Sequence, residues 1–380
     1  MREMRKKYRI ALMTRKKKAH DSTGAKSGRS FAHFFLIATL TFIPLLGGTL
    51  LLTNYVVAKE VLPTPPTTVR CVNERAQDFQ CRKKHFETTT RVLGPKAALE
   101  NLKVLYARDP YIVSQCHQLI HSIGNVAAEM YGGNIGEAFT YGDGFCWSGY
   151  YHGVVEQALK QFNPDTIATK ADSFCADIPG KTQYSFDYFN CVHGLGHGFM
   201  AVTKNELFDS LDLCENLSGG WEKESCYGGV YMENVMVDNR THFSKYLKPD
   251  DLMYPCNAVD VPYKAQCYLM QTSYALTKNG RSFANLFELC AGIEEPYRDI
   301  CAQSIGRDAS GQSVSDPQQT HAWCREAKDL RQQEHCIIGA AKDFVSYFHS
   351  DKQAYTLCAK ETGTVKATCE NTVKSYYSIF

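Results

Sequence analysis

Residues 282–306 read SFANLFELCAGIEEPYRDICAQSIG and contain the pattern that decides the fold. The apolar residues before Cys290 recur at intervals of three and four, which indicates one face of a short α-helix. Glu295 and Pro296 interrupt this pattern, as turn residues between helices do. Cys301 then opens a second helical segment. The stretch therefore predicts two helices joined by a turn, with one cysteine on each side of the turn.

The same arrangement recurs along the second half of the chain. From Cys175 onward the cysteines form pairs separated by 16, 12, 11, 11, 12 and 11 residues, and the second members of successive pairs lie 33 to 41 residues apart. The pairs are Cys175/Cys191, Cys214/Cys226, Cys256/Cys267, Cys290/Cys301, Cys324/Cys336 and Cys358/Cys369. A period of this length is typical of helical repeat proteins. No segment shows strand-like alternation between hairpin turns, so the sequence predicts an all-α fold.

Each predicted unit is an αα-hairpin that a disulfide staples across its turn. Closing a loop of this size stabilises the fold by about 3 kcal/mol in the chain-entropy model. Cys71 and Cys81 have a similar spacing and predict a first staple, while Lys248–Asp250 and Asp316–Pro317 are predicted to begin helices. In hairpin length and stapling the units resemble disulfide-laced helical repeat proteins. That resemblance implies a solenoid-like repeat array.

The first 70 residues predict a membrane anchor and a stalk. Residues 1–30 hold eleven lysines and arginines against two acidic residues, and residues 31–58 contain no Asp, Glu, Lys or Arg. An apolar stretch of this length predicts a transmembrane helix with the basic tail in the cytoplasm. A signal peptide cleaved after Ala58 is the alternative, but the apolar stretch is longer than a usual signal-peptide core. The Pro/Thr-rich residues 59–70 predict an extended stalk.

Cysteine usage and charge indicate the compartment of the remaining chain. All sixteen cysteines follow the stalk, and beyond residue 30 the acidic residues outnumber the basic ones. An even set of cysteines beyond a membrane is typical of a disulfide framework in an oxidising compartment. The acidic balance argues against nucleic-acid binding. The sequence therefore predicts a single-pass membrane protein, N-terminus cytoplasmic, whose residues 71–380 lie outside the cytoplasm.

Residues 71–204 depart from the regular repeat of residues 205–380. Cys116 and Cys146 have no partner at the repeat spacing, because the helices predicted before them, around residues 97–107 and 134–141, contain no cysteine. By elimination, the two are predicted to pair with each other and to tie two neighbouring helices together. The alternative is a pair of free thiolates available to a metal, which an oxidising compartment disfavours.

Histidines concentrate in this irregular region. Five of the twelve follow closely on three consecutive second-helix cysteines, namely His117, His121, His152, His193 and His197. The first two and the last two are each four residues apart, so each pair lies on one helix face, and Glu156 has the same spacing from His152. Neutral imidazole binds Zn, Cu, Fe or Ni, with carboxylate as a further ligand. The pattern predicts a metal site, with Glu156 as ligand or general base. The alternative is a set of hydrogen-bonded core histidines.

Other residues give weaker signals. Glu233 could complete the site from the next helix, although a solvated face position is the favoured interpretation. The aromatic residues near the cluster could line a pocket, but at helical spacing such residues more often pack in a core; they are Trp147, Tyr150, Tyr151 and Tyr227. The sequence contains no HExxH motif, and no P-loop, nucleophile elbow or c-type haem motif in a supporting context.

Two functions fit these features. The first is a metal-binding protein at the outer membrane face, with a Zn, Cu or Fe ion held by a subset of the five histidines and with metal-dependent catalysis as its possible activity. The second is a non-enzymatic scaffold that binds a protein or ligand on the concave surface of its repeat array. The sequence identifies no substrate.

Overall fold

The computed structural model describes residues 75–236, 243–314 and 316–378. Within these ranges the chain forms helices and turns and no β-strand, apart from an isolated bridge between Lys248 and Asp251. The predicted all-α class is confirmed for this part of the chain. The helices are α1 (Arg75–Leu93), α2 (Pro95–Tyr106), α3 (Pro110–Met130), α4 (Ile135–Phe139), α5 (Gly149–Leu159), α6 (Pro164–Lys170), α7 (Phe186–Val202), α8 (Leu207–Cys214), α9 (Gly220–Val235), α10 (Val261–Lys278), α11 (Phe283–Ala291), α12 (Arg298–Gln312), α13 (Pro317–Cys324), α14 (Leu330–Phe348), α15 (Lys352–Cys358) and α16 (Gly363–Tyr377).

Polar caps determine where two of the long helices begin. The Asp109 carboxylate accepts a hydrogen bond from the Tyr111 amide, and Pro110 occupies the first position of α3. The Ser185 hydroxyl accepts from the Tyr188 amide at the start of α7. Such caps satisfy amides of the first turn that have no partner within the helix. They thereby fix the first residues of α3 and α7.

Seven disulfides lie within the described residues, and they join six pairs that the spacing predicts and one, Cys116–Cys146, that is predicted by elimination. They are Cys116–Cys146, Cys175–Cys191, Cys214–Cys226, Cys256–Cys267, Cys290–Cys301, Cys324–Cys336 and Cys358–Cys369. From α8 onward most of them join a short helix to the longer one that follows. Cys81 is also disulfide-bonded, and its predicted partner Cys71 lies outside the described residues.

The segment before Cys256 departs from the predicted pattern. The sequence predicts a helix beginning at Lys248–Asp250, but residues 243–260 form turns. Pro249 and Pro255 lie too close together for a stable helix between them, because proline lacks an amide hydrogen and disfavours helical backbone at the preceding residue. The prediction of a helix start is therefore wrong here, and the Cys256–Cys267 disulfide ties a turn to α10.

The long helices pack against one another in chain order. The sequence of contacts runs from α1 through α3, α5, α7, α9, α10, α12 and α14 to α16. The array also bends back on itself: Trp147 Nε1 donates to Asp343 Oδ1 at 2.8 Å, and the Phe186 ring stacks on His349 with 4.6 Å between centroids. An open solenoid has no such contacts, because each of its repeats touches only its neighbours. The long helices consequently surround a common interior.

Three predicted segments lie outside the described residues, namely the basic tail (1–30), the transmembrane segment (31–58) and the stalk (59–70). Within the described ranges, no helix combines the length and the apolar character that a membrane span requires. The predicted boundary after residue 204 falls between α7 and α8. These two helices contact each other inside one compact unit.

Candidate metal centre

Three neighbouring helices carry the five predicted histidines. His117 and His121 lie on α3, His152 on α5, and His193 and His197 on α7. Helix α5 packs against both α3 and α7, so it lies between the two histidine pairs. All of these rings are buried except that of His121, which is partly buried.

Glycines at the helix crossing let α3 and α5 approach closely. A Cβ added to Gly153 would overlap the carbonyl oxygen of His121, and one added to Gly124 would overlap the carbonyl oxygen of Tyr150. Backbone atoms cannot move aside, so only glycine fits at these two positions. The close crossing brings the ring centroids of His121 and His152 to 5.6 Å from each other.

The turn before α5 has an unusual backbone. Cys146, Trp147 and Ser148 have φ angles of 55°, 54° and 59°, which lie in the left-handed region that residues other than glycine seldom adopt. The Cys116–Cys146 disulfide ties this turn to α3. The turn also places the Cys146 carbonyl oxygen 2.8 Å from His117 Nδ1. Backbone strain of this kind is concentrated at functional sites.

The five rings form two overlapping triads. His117, His121 and His152 each bring one nitrogen to within 4.8 Å of the others, and His152, His193 and His197 do the same. His152 belongs to both triads, and its ring stacks on that of His197 with 4.5 Å between centroids. The three helices therefore bring their histidines together into clusters that could hold a metal ion.

Two of the histidine rings donate a hydrogen bond from Nδ1 to an oxygen acceptor. His117 Nδ1 donates to the Cys146 carbonyl oxygen at 2.8 Å, and His197 Nδ1 donates to Glu233 Oε2 at 2.7 Å. Metal-binding histidines have this arrangement because the acceptor orients the ring and leaves the other nitrogen for the metal. His197 Nε2 and His152 Nδ1 are both buried, and neither has a hydrogen-bond partner in the described part of the chain.

The facing nitrogens of His117 and His121 require a proton or a metal ion between them. Their Nε2 atoms are 3.0 Å apart. The Cys146 carbonyl oxygen can only accept a hydrogen bond, so neutral His117 carries its proton on Nδ1 and a lone pair on Nε2. His121 Nε2 then either donates a proton to that lone pair or presents a second lone pair to a cation. The pair is thus arranged to share a proton or a metal ion.

Burial keeps four of the five rings in the neutral form. Desolvation and the neighbouring imidazoles lower the pKa of both His117 and His152 well below the usual value. Desolvation also lowers the pKa of His193 and, against the opposing effect of the Glu233 carboxylate, that of His197. A neutral imidazole is the form that binds a metal, so protons compete weakly at these positions.

Glu156 lies beside the cluster and pairs with Lys160. Its Oε1 is 2.7 Å from Lys160 Nζ, and its Oε2 is 3.6 Å from His121 Nδ1. Burial opposes ionisation of this carboxyl, but His121 and Lys160 hold its pKa at about 2. A carboxylate with so low a pKa is a weak proton acceptor, and Glu156 belongs to neither triad. These contacts favour a role for Glu156 in orienting the His121 ring. Its role as a metal ligand or general base stays a prediction.

Helix α9 contributes more to the site than its sequence indicates. Glu233 is not a solvated face residue, because its carboxylate accepts the hydrogen bond of the buried His197 ring. His193 Nε2 lies 3.4 Å from Met232 Sδ, and the Ser225 backbone also hydrogen-bonds the His193 ring. Sequence reasoning assigned no role to Met232 or Ser225. The signal for Met232 was its position in the repeat, which corresponds to that of His152 and His197.

Two cavities adjoin the cluster. The larger has a volume of about 370 Å³, and its lining includes His152 and His193. The smaller has a volume of about 190 Å³ and is lined by polar groups that include His121, Glu156 and Glu233. The two linings share no residue, so different histidines of the cluster face different spaces.

Within the described ranges, the remaining histidines and most of the predicted aromatic residues lie elsewhere or pack in the core. His85 Nε2 is 2.8 Å from Asn101 Oδ1, and the buried Tyr150 hydroxyl donates to the Ala138 carbonyl oxygen. The other histidines within the described residues have protein contacts away from the cluster; they are His321, His335 and His349. His242 lies outside the described residues. Trp147 is different, since it lines the larger cavity.

The cluster offers neutral nitrogen ligands to a borderline divalent ion. Thiolates do not compete for such an ion, because no cysteine of the described ranges is free.

No protein-family model, curated protein or solved structure matches this chain. The chemistry of the site is accordingly inferred from its donor atoms and their surroundings.

Proposed function

We propose that the histidine cluster binds a transition-metal ion and that this metal centre is the functional site of the protein. The supporting observation is the pair of buried nitrogens, His152 Nδ1 and His197 Nε2, that have no partner in the described chain. A buried polar atom without a partner costs about 1–3 kcal/mol. An ion bound by His152, His193 and His197 would give these nitrogens a partner, and one bound by His117, His121 and His152 would replace the proton between His117 and His121.

The donor set favours Zn, Cu or Fe. Three or four neutral imidazoles suit these metals better than Mg or Ca, which take oxygen ligands. Such an ion supplies Lewis-acid chemistry, or electron transfer if it is redox-active. The cavity beside His152 and His193 offers space for a substrate, which favours a metal-dependent enzyme over a scaffold without chemistry.

We also propose that the centre acts outside the cytoplasm on a membrane-anchored chain. The apolar residues 31–58 and the basic residues before them support the anchor. The disulfides support an oxidising compartment, because the cytosol keeps thiols reduced.

Metal analysis of the full-length chain tests the metal centre. After loading with Zn²⁺, Cu²⁺ or Fe²⁺ and extensive dialysis, we expect about one tightly bound ion per chain, as at other histidine sites. The double variant His121→Ala/His197→Ala removes one ligand from each triad and should lose the ion while circular dichroism shows unchanged helicity. The control His335→Ala/His349→Ala changes two histidines outside the cluster and should keep it.

Variants of the surrounding carboxylates sharpen this test. Glu233→Gln should weaken metal binding by roughly 10- to 100-fold, because the Glu233 carboxylate fixes the tautomer of His197. Glu288→Gln, which removes a surface partner of Lys328, should leave the affinity unchanged. Failure to retain any of the three ions would refute the metal centre and leave the scaffold as the remaining function.

A further inference from the structure

The larger cavity occupies the interior that the curved array encloses. Seven helices contribute to its wall, namely α5, α7, α9, α10, α12, α14 and α16. Much of the wall is apolar, with the rings of Phe189 and Trp221 and the side chains of Leu269 and Met270. Its volume of about 370 Å³ lies within the range of small-molecule sites. The cavity can therefore hold an apolar body of limited size.

Two basic side chains line the same cavity and differ in how their charges are compensated. Arg307 Nη2 donates to Ser273 Oγ at 2.6 Å and to Asp308 Oδ1 at 3.0 Å, so a carboxylate already balances it. Lys342 Nζ donates to the neutral Gln303 Oε1 at 3.0 Å. No carboxylate of the described residues lies within ion-pair distance of Lys342. Its ammonium is half-buried beside a neutral amide, which is an unusual place for a charge.

The acidic side chains of the cavity do not supply the missing partner. Glu224 is exposed to solvent. Asp343 is buried, and its Oδ1 accepts the hydrogen bond of Trp147 Nε1 at 2.8 Å. Burial raises the pKa of Asp343 to about 7, so part of this carboxyl is uncharged near neutral pH. The charge of Lys342 is thus available to a ligand.

We propose that this cavity binds a small organic monocarboxylate, with the carboxylate on Lys342 and the apolar body along the aromatic wall toward His152 and His193. The inference names the substrate class of the metal centre, and to that extent it rests on the proposed function. Binding of the acid to Lys342 itself needs no metal. The two proposals can therefore fail independently.

Binding of 3-phenylpropionate to the full-length chain tests the inference. We expect titration calorimetry to detect binding of 3-phenylpropionate. The matched 3-phenylpropanamide should bind roughly tenfold more weakly, because it lacks the negative charge of the carboxylate. The matched amine, 3-phenylpropylamine, should not bind. Equal affinities for the acid and the amide would overturn the inference.

Substitutions at Lys342 locate the carboxylate. Lys342→Met should weaken binding of the acid by roughly tenfold or more and leave binding of the amide unchanged, while Lys342→Arg should restore most of the affinity for the acid. Lys328→Met, at an exposed lysine outside the cavity, is the matched control and should change nothing. An unchanged affinity in Lys342→Met would overturn the inference, and so would a loss that Lys342→Arg does not reverse.

The metal-ligand variant separates this inference from the metal centre. Neither His121 nor His197 lines the larger cavity, so His121→Ala/His197→Ala should still bind the acid. Loss of acid binding in that variant, together with normal binding in Lys342→Met, would place the carboxylate on the metal and overturn the inference. Lysine-dependent binding to a chain that retains no metal would support the inference and refute the metal centre.

Discussion

Burial and charge conflict at Asp343 more than at other aspartates of the described chain. The carboxyl is buried on α14, and its Oδ1 accepts a hydrogen bond from Trp147 Nε1. Desolvation disfavours its ionised form and raises its pKa from 3.8 to about 7. The folded state therefore binds more protons than the unfolded state between about pH 4 and pH 7, and its stability falls as the pH rises through that range.

We predict that Asp343→Asn stabilises the protein at about pH 8 by up to a few kcal/mol and has little effect near pH 4, where the folded carboxyl is already protonated. Asparagine can still accept the hydrogen bond of Trp147. Thermal unfolding of both proteins at the two pH values measures the difference. The matched change Asp250→Asn, in an exposed turn, should show no such contrast. A gain of equal size at both pH values would contradict the prediction.

At the residue scale, the sequence predicts which histidines share a helix face, but it does not predict the hydrogen-bond partners of their rings. His117 and His121, like His193 and His197, are four residues apart, and a helix places such residues on one face wherever it packs. Glu233 lies 36 residues from His197. Only the packing of α9 against α7 brings the Glu233 carboxylate to the His197 ring. The sequence alone therefore favours a solvated position for Glu233.

Helix pairs in this fold cross at reciprocal glycines, and α12 and α14, which carry none of the five clustered histidines, provide one such pair. A Cβ on Gly306 would overlap the Cys336 carbonyl oxygen, and a Cβ on Gly339 would overlap the Gln303 carbonyl oxygen. In both cases the obstacle is backbone, which cannot rotate away as a side chain can. The close crossing thus depends on the absence of a side chain at both positions.

We predict that Gly306→Ala destabilises the protein by about 1–3 kcal/mol or more, because the added methyl group forces the two helices apart. Gly220→Ala is the matched control, since a Cβ there meets no atom within 4 Å and the site is the first residue of α9. Alanine favours the helix, so Gly220→Ala should leave the stability unchanged or raise it slightly. Guanidinium unfolding compares the two. Equal effects of both substitutions would show that helix crossing does not limit these positions.

Helix elements were predictable where cysteine spacing and apolar period agreed. Helices α11 and α12 are separated by the Glu295–Pro296 turn, where the sequence predicts a break. One exception is the stretch before Cys256, where Pro249 and Pro255 prevent a helix although the separation of Cys256 and Cys267 matches that of the other pairs. Cysteine spacing predicts where a disulfide forms, but it does not predict whether the disulfide joins two helices or joins a turn to a helix.

At the scale of the whole molecule, the membrane anchor stays a prediction from residues 31–58. We expect the full-length chain to remain in the membrane fraction after alkaline carbonate extraction, because a helix of about 20 apolar residues inserts stably. A variant lacking residues 1–58 should be extracted into the soluble fraction. The intact mass then distinguishes an anchor from a cleaved signal peptide. A mature chain that begins at Lys59 would contradict the uncleaved anchor.

Closure of the helical array is a property of the whole molecule that no local pattern indicates. The contact between Trp147 and Asp343 spans 196 residues. Each helix determines only how it packs on its neighbours, and small rotations between successive helices add up to the curvature. The interior cavity, with Lys342 and His152 on its wall, exists because that curvature brings distant units together.

The sequence by itself determined most of the stapled helices, the seven described disulfide pairs and the five histidines of the candidate centre, because cysteine spacing and helical period are local properties. Tertiary structure alone decided that Glu233 orients His197, that Asp343 is buried beneath Trp147, and that seven helices enclose one cavity. These features arise from contacts between residues far apart in the chain. Such contacts depend on the cumulative geometry of packed helices, which no single segment of the sequence specifies.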